Sequence, residues 1–547
     1  MKKKVLYLIL SLVFISGIEL RAQNDFEIAK NVDIFVSILK ELNLKYADEI
    51  TPGDLVKNAI DGMLNTLDPY SVYYPESQIE DYRIMTQGQY GGIGALIQQY
   101  GNDVVISEPY ADTPSQKAGL RAGDKILKIN GQSTKGKTSD DVSTILKGQP
   151  GTTLTIEVER AFTKEKLTFN IKREEIKFPT VPYYGMLNET VGYIKLDQFT
   201  EKASAEVKEA YKKLKDQGMK YLILDLRNNG GGLLQEAVNI MNIFVDQNVL
   251  IAETKGKIPE QNFKYYTRSA AIDKDIPVAV LVNEFSASAS EIVSGSFQDL
   301  DRGVIVGKKT FGKGLVQNVV PLSYNTSLKI TIAKYYIPSG RCVQNIDYFD
   351  KDTNGVAPHI PDSLATPYKT KNGRTVYDKG GVEPDIVTDE VTPSTILGTL
   401  VQNNIIFDFA NQYRTKHDQL ITADQFAVDE TLFQEFLAFV KTKDFTYKTE
   451  TENILAELIL AAKEDHYFEA IQPQLDLLKT KIEQEKMNDL LKFKEEISQF
   501  LANEIVSRYY YQKGRIVNQL SYDPDIKAAI KIITDSNQYN TILNGKK

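Results

Sequence analysis

Two short segments carry the residues best suited to covalent chemistry. Ser286-Ala287-Ser288-Ala289-Ser290-Glu291 offers hydroxyls where an apolar run, Val278 to Val282, gives way to a helical pattern. Phe311-Gly312-Lys313-Gly314-Leu315-Val316-Gln317 sets a lysine between two glycines. The chain has only 3 histidines in 547 residues, so a nucleophilic serine here is expected to use another base. A neutral lysine can serve. Bringing its pKa from about 10.4 to near 7 takes on the order of 4 kcal/mol, and burial against apolar neighbours supplies that. Gln317 lies four residues beyond Lys313; in a strand the two face one side, and the amide can orient the amine. The free N–H groups of the helical turn after the serines can stabilise an oxyanion.

Each segment also has a plainer reading. Ser288 and Glu291 fit the capping-box spacing, and most serines so placed only cap a helix. The plainer reading of Lys313 is a solvated turn lysine, which is the reading of Lys308 and Lys309 beside it. The lysine segment shifts the balance, and a third segment, which alone reads equally as a plain strand-to-helix turn, adds to it. Asp225-Leu226-Arg227-Asn228-Asn229-Gly230-Gly231-Gly232 follows the apolar strand Tyr221 to Leu226 and precedes a helix. Its glycines let backbone N–H groups approach an anion.

Positioning these groups requires an α/β core. From about Glu175 to Ile386 strands are expected at Val191 to Leu196, Tyr221 to Leu226, Val278 to Val282, Val304 to Val306, Val316 to Val320 and Leu328 to Ala333. Helices fit Ala203 to Gln217, Leu233 to Phe244 and Ala289 to Leu300. Upstream, residues 88–174 read as a compact β-rich unit. A glycine-rich loop, Tyr90 to Ala95, leads into a strand at Leu96 to Gln99, and others follow at Lys125 to Ile129, Thr152 to Glu159 and Lys166 to Ile171. A helix fits Asp140 to Leu146. The region before Gly88 is helical, with Ile28, Val32, Phe35, Leu39 and Leu42 on one face and a second helix from Pro52 to about Leu67. After about Asp389 helices dominate. Phe433, Phe436, Leu437 and Val440 share one face, and Leu455, Leu458, Ile459 and Ala462 another.

The composition excludes several classes. A net charge of -8 argues against nucleic-acid binding, which needs a basic face. Residues 1–22 read as an export signal: Lys2, Lys3 and Lys4, then the apolar stretch Val5 to Ile18, then Ala22 before a cleavage point. Leu20 is larger than cleavage favours, so an uncleaved anchor is the alternative. The stretch is short for a span of roughly 20 residues, and none is expected in the mature chain. Cys342 is the single cysteine, which forbids an internal disulfide and reads as a core residue. Gly307 to Lys313 has phosphate-loop spacing, yet Gly314 stands where Mg²⁺ binding needs Ser or Thr, and a strand follows instead of a helix.

Five segments in order make the chain resemble the carboxyl-terminal processing (tail-specific) serine peptidase family over about residues 25 to 390: Asp225 to Gly232, Ser286 to Ile292, Phe311 to Gln317, Tyr335 to Arg341 and Gly380 to Ile386. The resemblance implies a multidomain α/β fold with a ClpP/crotonase-like α/β protease core at 175–390, a PDZ domain at 88–174 and helical regions at 23–87 and 391–547. It implies Ser288 as nucleophile, Lys313 as base and Gln317 as its positioner. The oxyanion donors would be the backbone N–H groups of Ala289 and Gly231. In the PDZ domain, Gly91, Gly92, Ile93 and Gly94 would take a terminal carboxylate, with Val142, Ile145 and Leu146 lining the pocket for the last side chain. The expected activity is a serine endopeptidase that recognises apolar C-terminal tails and cleaves exported or envelope proteins near their C-terminus, or degrades them. No cofactor or metal is implied. The expected location is the periplasm or cell envelope, and an adaptor protein and a homo-oligomer are the further partners the family suggests. The alternatives are a non-catalytic PDZ adaptor or holdase and, behind it, a phosphate-loop enzyme.

Overall fold

The computed structural model describes residues 25–76, 88–352, 355–389, 392–443, 445–486 and 488–545; the expected signal, residues 1–22, lies outside them. Within these residues the chain divides into two units, one of 25–76, 317–331 and 355, the other of the remainder. No helix among the described residues is long and apolar enough to cross a membrane.

In the first unit residues 25–45 form a helix. A second spans Pro52–Asn65, its proline in the first turn where no N–H is needed. The Asp68 carboxylate then accepts the N–H groups of Tyr70 and Ser71, turning the chain into strand Val72–Tyr74. That strand pairs antiparallel with residues 327–329.

In the second unit, strands Ala95–Tyr100, Asp103–Pro109, Lys125–Ile129, Thr153–Glu159 and Lys166–Lys172 form an antiparallel sheet in that order. Helix Ser139–Leu146 packs on it through Val142 and Leu146. The expected glycine-rich loop is partly strand: Gln89–Gly92 pairs with Glu174–Lys177. Gly91 approaches the Gly148 carbonyl so closely that an added Cβ would lie 2.1 Å from its oxygen, so here glycine serves packing.

The core elements are labelled in chain order: β1 (Tyr183–Met186), β2 (Val191–Lys195), α1 (Ala203–Asp216), β3 (Tyr221–Asp225), α2 (Leu234–Phe244), β4 (Val278–Val282), α3 (Ala289–Asp299), β5 (Val304–Gly307) and β6 (Ile386–Val387). The strands lie in the order β1 to β6, with β1 antiparallel to β2 and the rest parallel. Crossovers of one hand between sequential parallel strands place their helices on one face. There Ile194, Leu222, Leu224 and Val280 pack among α1, α2 and α3. The alternate residues Tyr193, Ile223, Ala279, Leu281 and Val306 face the other way, against Ile526, Ala529, Ile532, Ile533 and Tyr539. The helices Pro524–Thr534 and Ser536–Leu543 therefore cover the second face of the core sheet. This burial of both faces explains the uninterrupted apolar run at Val278–Val282.

Other helices of the C-terminal region share a separate core, in which Phe433, Phe436 and Val440 meet Ile497, Leu501 and Ile505. Leu455 and Ala462 are buried, whereas Leu458, expected beside them, is 47% exposed.

Candidate active site

β4 ends in a turn, Asn283 to Ala287, and α3 begins at once. Of the three serines there, Ser286 and Ser290 are fully buried and committed: their hydroxyls donate to the carbonyls of Leu226 and Asn229, both at 2.8 Å. Ser288 between them is half-buried. Its backbone stands at φ 57°, ψ -113°, a left-handed conformation that costs a residue with a Cβ about 1–3 kcal/mol. Such strain persists only where the surroundings over-determine it.

What holds it is Glu291, in the first turn of α3 and 0% exposed. Its carboxylate accepts the Ser288 N–H at 2.8 Å, the return bond of the expected capping box. The same carboxylate accepts the Thr310 hydroxyl at 2.6 Å, the Gly312 N–H at 2.7 Å and the Lys313 N–H at 2.9 Å. Burial pushes this carboxyl up from its ordinary value, and the four donors pull it back. One side chain thus joins the serine turn to the lysine turn. Local spacing showed Glu291 only as a cap, because its other partners lie 19 to 22 residues away.

Lys313 is half-buried, in the turn between β5 and strand Leu315–Pro321. The strand begins after Lys313, so the same-side argument for Gln317 does not reach back to it. Gln317 belongs to the first unit, where its Nε2 donates to Thr331 Oγ1 at 3.2 Å. No helix follows the Gly307 to Lys313 segment, as a phosphate loop would require.

The glycine turn after β3 sits against the serine. A Cβ on Gly231, whose φ is +99°, would lie 2.8 Å from Ser288 Cβ and 2.9 Å from the Ala289 nitrogen. Only glycine fits so close. The Gly231 N–H donates to Asn229 Oδ1 at 2.9 Å, so it reaches an oxyanion only when that bond yields. Asn229 was not singled out in the sequence, yet it is fully buried, and its carbonyl also accepts the Ala287 N–H at 3.0 Å. Beneath the turn, burial raises the Asp225 carboxyl, but the charges of Arg227 and Lys195 win and hold it well below the usual range. Arg227 grips Asp225 at 2.7 Å and also meets Asp523 and Asp525, both at 2.8 Å.

Cys342 lies beside the lysine turn, with burial raising its thiol, which disfavours the thiolate a nucleophile needs. In the PDZ-like sheet, Ile93, Val142 and Leu146 belong to the apolar core and Ile145 is partly exposed over it. The Gly94 carbonyl accepts Thr113 Oγ1 and Ser115 Oγ, which fixes the turn after Ile93.

Residues 190–361 match the family described as "Peptidase family S41", 105–160 the "PDZ domain" and 396–533 the "Probable PDZ-protease, C-terminal helical domain". The "Carboxy-terminal-processing protease" of Bartonella bacilliformis is 33% identical over 380 residues, 68% of this chain and 85% of that protein. A "Probable CtpA-like serine protease" of Staphylococcus aureus is 32% identical over 444 residues, 80% of this chain and 83% of that protein. Among solved structures, the "photosystem II D1 C-terminal processing protease" is 28% identical with a TM-score of 0.36, covering 65% of this chain and 87% of that one.

Proposed function

For a chain that belongs to the carboxy-terminal-processing serine proteases of peptidase family S41 and carries a PDZ domain, we propose a Ser288/Lys313 mechanism acting on exported proteins with apolar C-terminal tails. The observation that carries this reading is the shared Glu291 carboxylate, which receives the N–H groups of both Ser288 and Lys313. Two residues of complementary chemistry, 25 positions apart, are thereby tied to one buried point.

The chemistry follows from the groups. Neutral Lys313 Nζ takes the proton of Ser288 Oγ as that oxygen attacks a peptide carbonyl carbon. Negative charge moves to the carbonyl oxygen, which the Ala289 N–H receives at the start of α3; Gly231 joins once Asn229 releases it. The C–N bond breaks as Lys313 returns the proton to the leaving amine. Water, deprotonated by Lys313, then hydrolyses the acyl-serine ester. The PDZ domain would hold the substrate's terminal carboxylate at Gly91 to Gly94 and its last side chain beside Val142, Ile145 and Leu146.

Cleavage of a polypeptide ending in apolar residues tests the reading. Ser288→Ala and Lys313→Ala should each abolish it, while His359→Ala, His417→Ala and His466→Ala leave it intact. Amidating the substrate's C-terminus should lower kcat/KM by removing the captured carboxylate. A wild-type chain that binds such substrates without cutting them is an adaptor instead. Export is tested by sequencing the N-terminus of the mature protein, expected at Gln23.

A further inference from the structure

Tyr335 touches both halves of the site. It lies on strand Ser327–Tyr336 and is 1% exposed. Its hydroxyl is 2.8 Å from the Lys313 carbonyl oxygen and 3.1 Å from that of Ser288. Both are acceptors, so one phenolic proton is shared between them. The Tyr335 N–H donates to the Gly314 carbonyl at 2.9 Å, which fixes the ring's backbone to the lysine turn as well.

We propose that Tyr335 is a positioning residue that holds the Ser288–Lys313 pair by its carbonyl groups, as Glu291 holds it by its N–H groups. Each of the two residues is then fixed at both ends of its own backbone by a side chain it shares with the other. The inference rests on the Ser288/Lys313 reading. At the serine the tether is partly redundant, because the Ser288 carbonyl also accepts the N–H groups of Glu291 and Ile292. At the lysine it matters more. Lys313 sits in a turn outside regular structure, and its carbonyl accepts the tyrosine's stronger contact. Burial raises the phenol well above its ordinary value, so it remains a donor wherever a lysine base is neutral. Removing the hydroxyl lets the lysine turn drift, and a displacement near 1 Å costs about 100-fold in rate.

The test is Tyr335→Phe, which removes one oxygen and keeps the ring. It should lower kcat about 10- to 100-fold and leave KM within about twofold. Ser288 labelling by a fluorophosphonate should slow equally. In a Lys313→Ala background, where peptide cleavage is gone but slow residual fluorophosphonate labelling of Ser288 is still readable, the same substitution should not slow that labelling further, because there is no lysine left to position. Equal slowing in both backgrounds would mark a merely structural tyrosine, and an unchanged kcat would overturn the inference outright. If Tyr335→Phe does not fold, native-state hydrogen exchange of the wild type decides. The Tyr335 amide, bonded to the Gly314 carbonyl, should open together with the Lys313 amide, whereas a lysine turn that exchanges freely while the Tyr335 amide stays protected refutes the tether. A wild type that neither cleaves nor labels overturns the Ser/Lys reading and this inference with it. An active wild type with an indifferent Tyr335→Phe overturns this inference alone.

Discussion

Glu291 and Glu108 are both buried, at 0% and 4% exposure, and burial pushes both carboxyls up. Their partners are opposite in kind. Glu291 is surrounded by three backbone N–H groups and one hydroxyl. Glu108, at the end of PDZ strand Asp103–Pro109, faces a cation: Arg515 of helix Lys494–Leu520 at 2.7 Å. Behind Arg515 stand Glu504, at 3.5 Å, and Arg508, which meets Glu504 at 2.7 Å. Nearby, Tyr100 donates to Asp408 at 2.9 Å and Gln98 to Asn404 at 3.2 Å, so this seam joins the PDZ domain to the C-terminal helices by polar contacts. Neutral dipoles fixed in the backbone hold a carboxylate in one geometry and do not depend on salt. A charge pair at a seam can part, each member returning to water. The first arrangement suits a catalytic site that must not move, the second a domain contact that can open.

Glu291→Gln should break this contrast most severely. The new amide would point donor hydrogens at groups that are themselves donors. Leaving such buried N–H groups unpaired costs about 1–3 kcal/mol each, and the strained Ser288 would relax. We expect kcat to fall by at least about 100-fold and the urea midpoint to drop clearly. An active, equally stable variant would show that the carboxylate does not hold the site.

Glu108→Gln should be milder and different in kind. The ion pair is lost while a polar side chain remains, so a cost of about 1–3 kcal/mol at the seam is expected. Cleavage of a short peptide should stay within about twofold of wild type, since no group of the serine or lysine turn touches Glu108. Limited proteolysis between residues 173 and 181 should quicken as the PDZ domain loosens. A variant that loses peptidase activity as completely as Glu291→Gln would mean that the seam and the site are one cooperative element.

Acid should separate the two roles of a carboxylate. Glu291 and Glu108 are raised, so the folded chain holds their protons more tightly than the unfolded chain does. Any stability they supply is present at low pH and lost as pH rises through their folded values. Acidification therefore does not unfold the protein through them. It does weaken the site: the proton of a protonated Glu291 has only Thr310 Oγ1 to go to, and the three N–H groups lose a charged acceptor. Asp225 has the opposite sign: held low by Arg227 and Lys195, it loses its contribution only as pH falls further. Because the proposed base Lys313 must itself be neutral, activity should already be gone by the ordinary glutamate value of about 4.3, with circular dichroism still native. Coincident loss of both signals would contradict this ordering.

The sequence made some of this plain and hid the rest for identifiable reasons. Val278–Val282 was legible because a strand buried on both faces is apolar throughout. The extent of α3 was legible from its apolar spacing and the serine at its start. Strand Leu250–Gly256 was missed because it ends in Glu253, Thr254 and Lys255 and reads as polar. The packing of Pro524–Thr534 on the core sheet was hidden because an amphipathic face does not name its partner. At the site, residue types were legible and long-range ties were not. Ser288 and Lys313 stood out, whereas Asn229, Tyr335 and the wider role of Glu291 depend on contacts between segments distant in sequence.

The smallest effect expected is that of salt on the seam. Arg515 is 33% exposed in its side chain, so its attraction to Glu108 is partly screened already. Raising ionic strength from about 0.1 M to 1 M shortens the screening length from about 10 Å to 3 Å, which weakens an accessible pair by less than about 1 kcal/mol. The same salt leaves the neutral donors around Glu291 untouched. Proteolysis at the PDZ boundary should therefore quicken modestly with added chloride while the short-peptide kcat stays flat. In Glu108→Gln the salt effect on proteolysis should shrink, because the charge it screens is gone. Salt sensitivity that survives in Glu108→Gln would place it in another pair, with Lys443 and Asp408, 2.8 Å apart within the helical region, the next to remove.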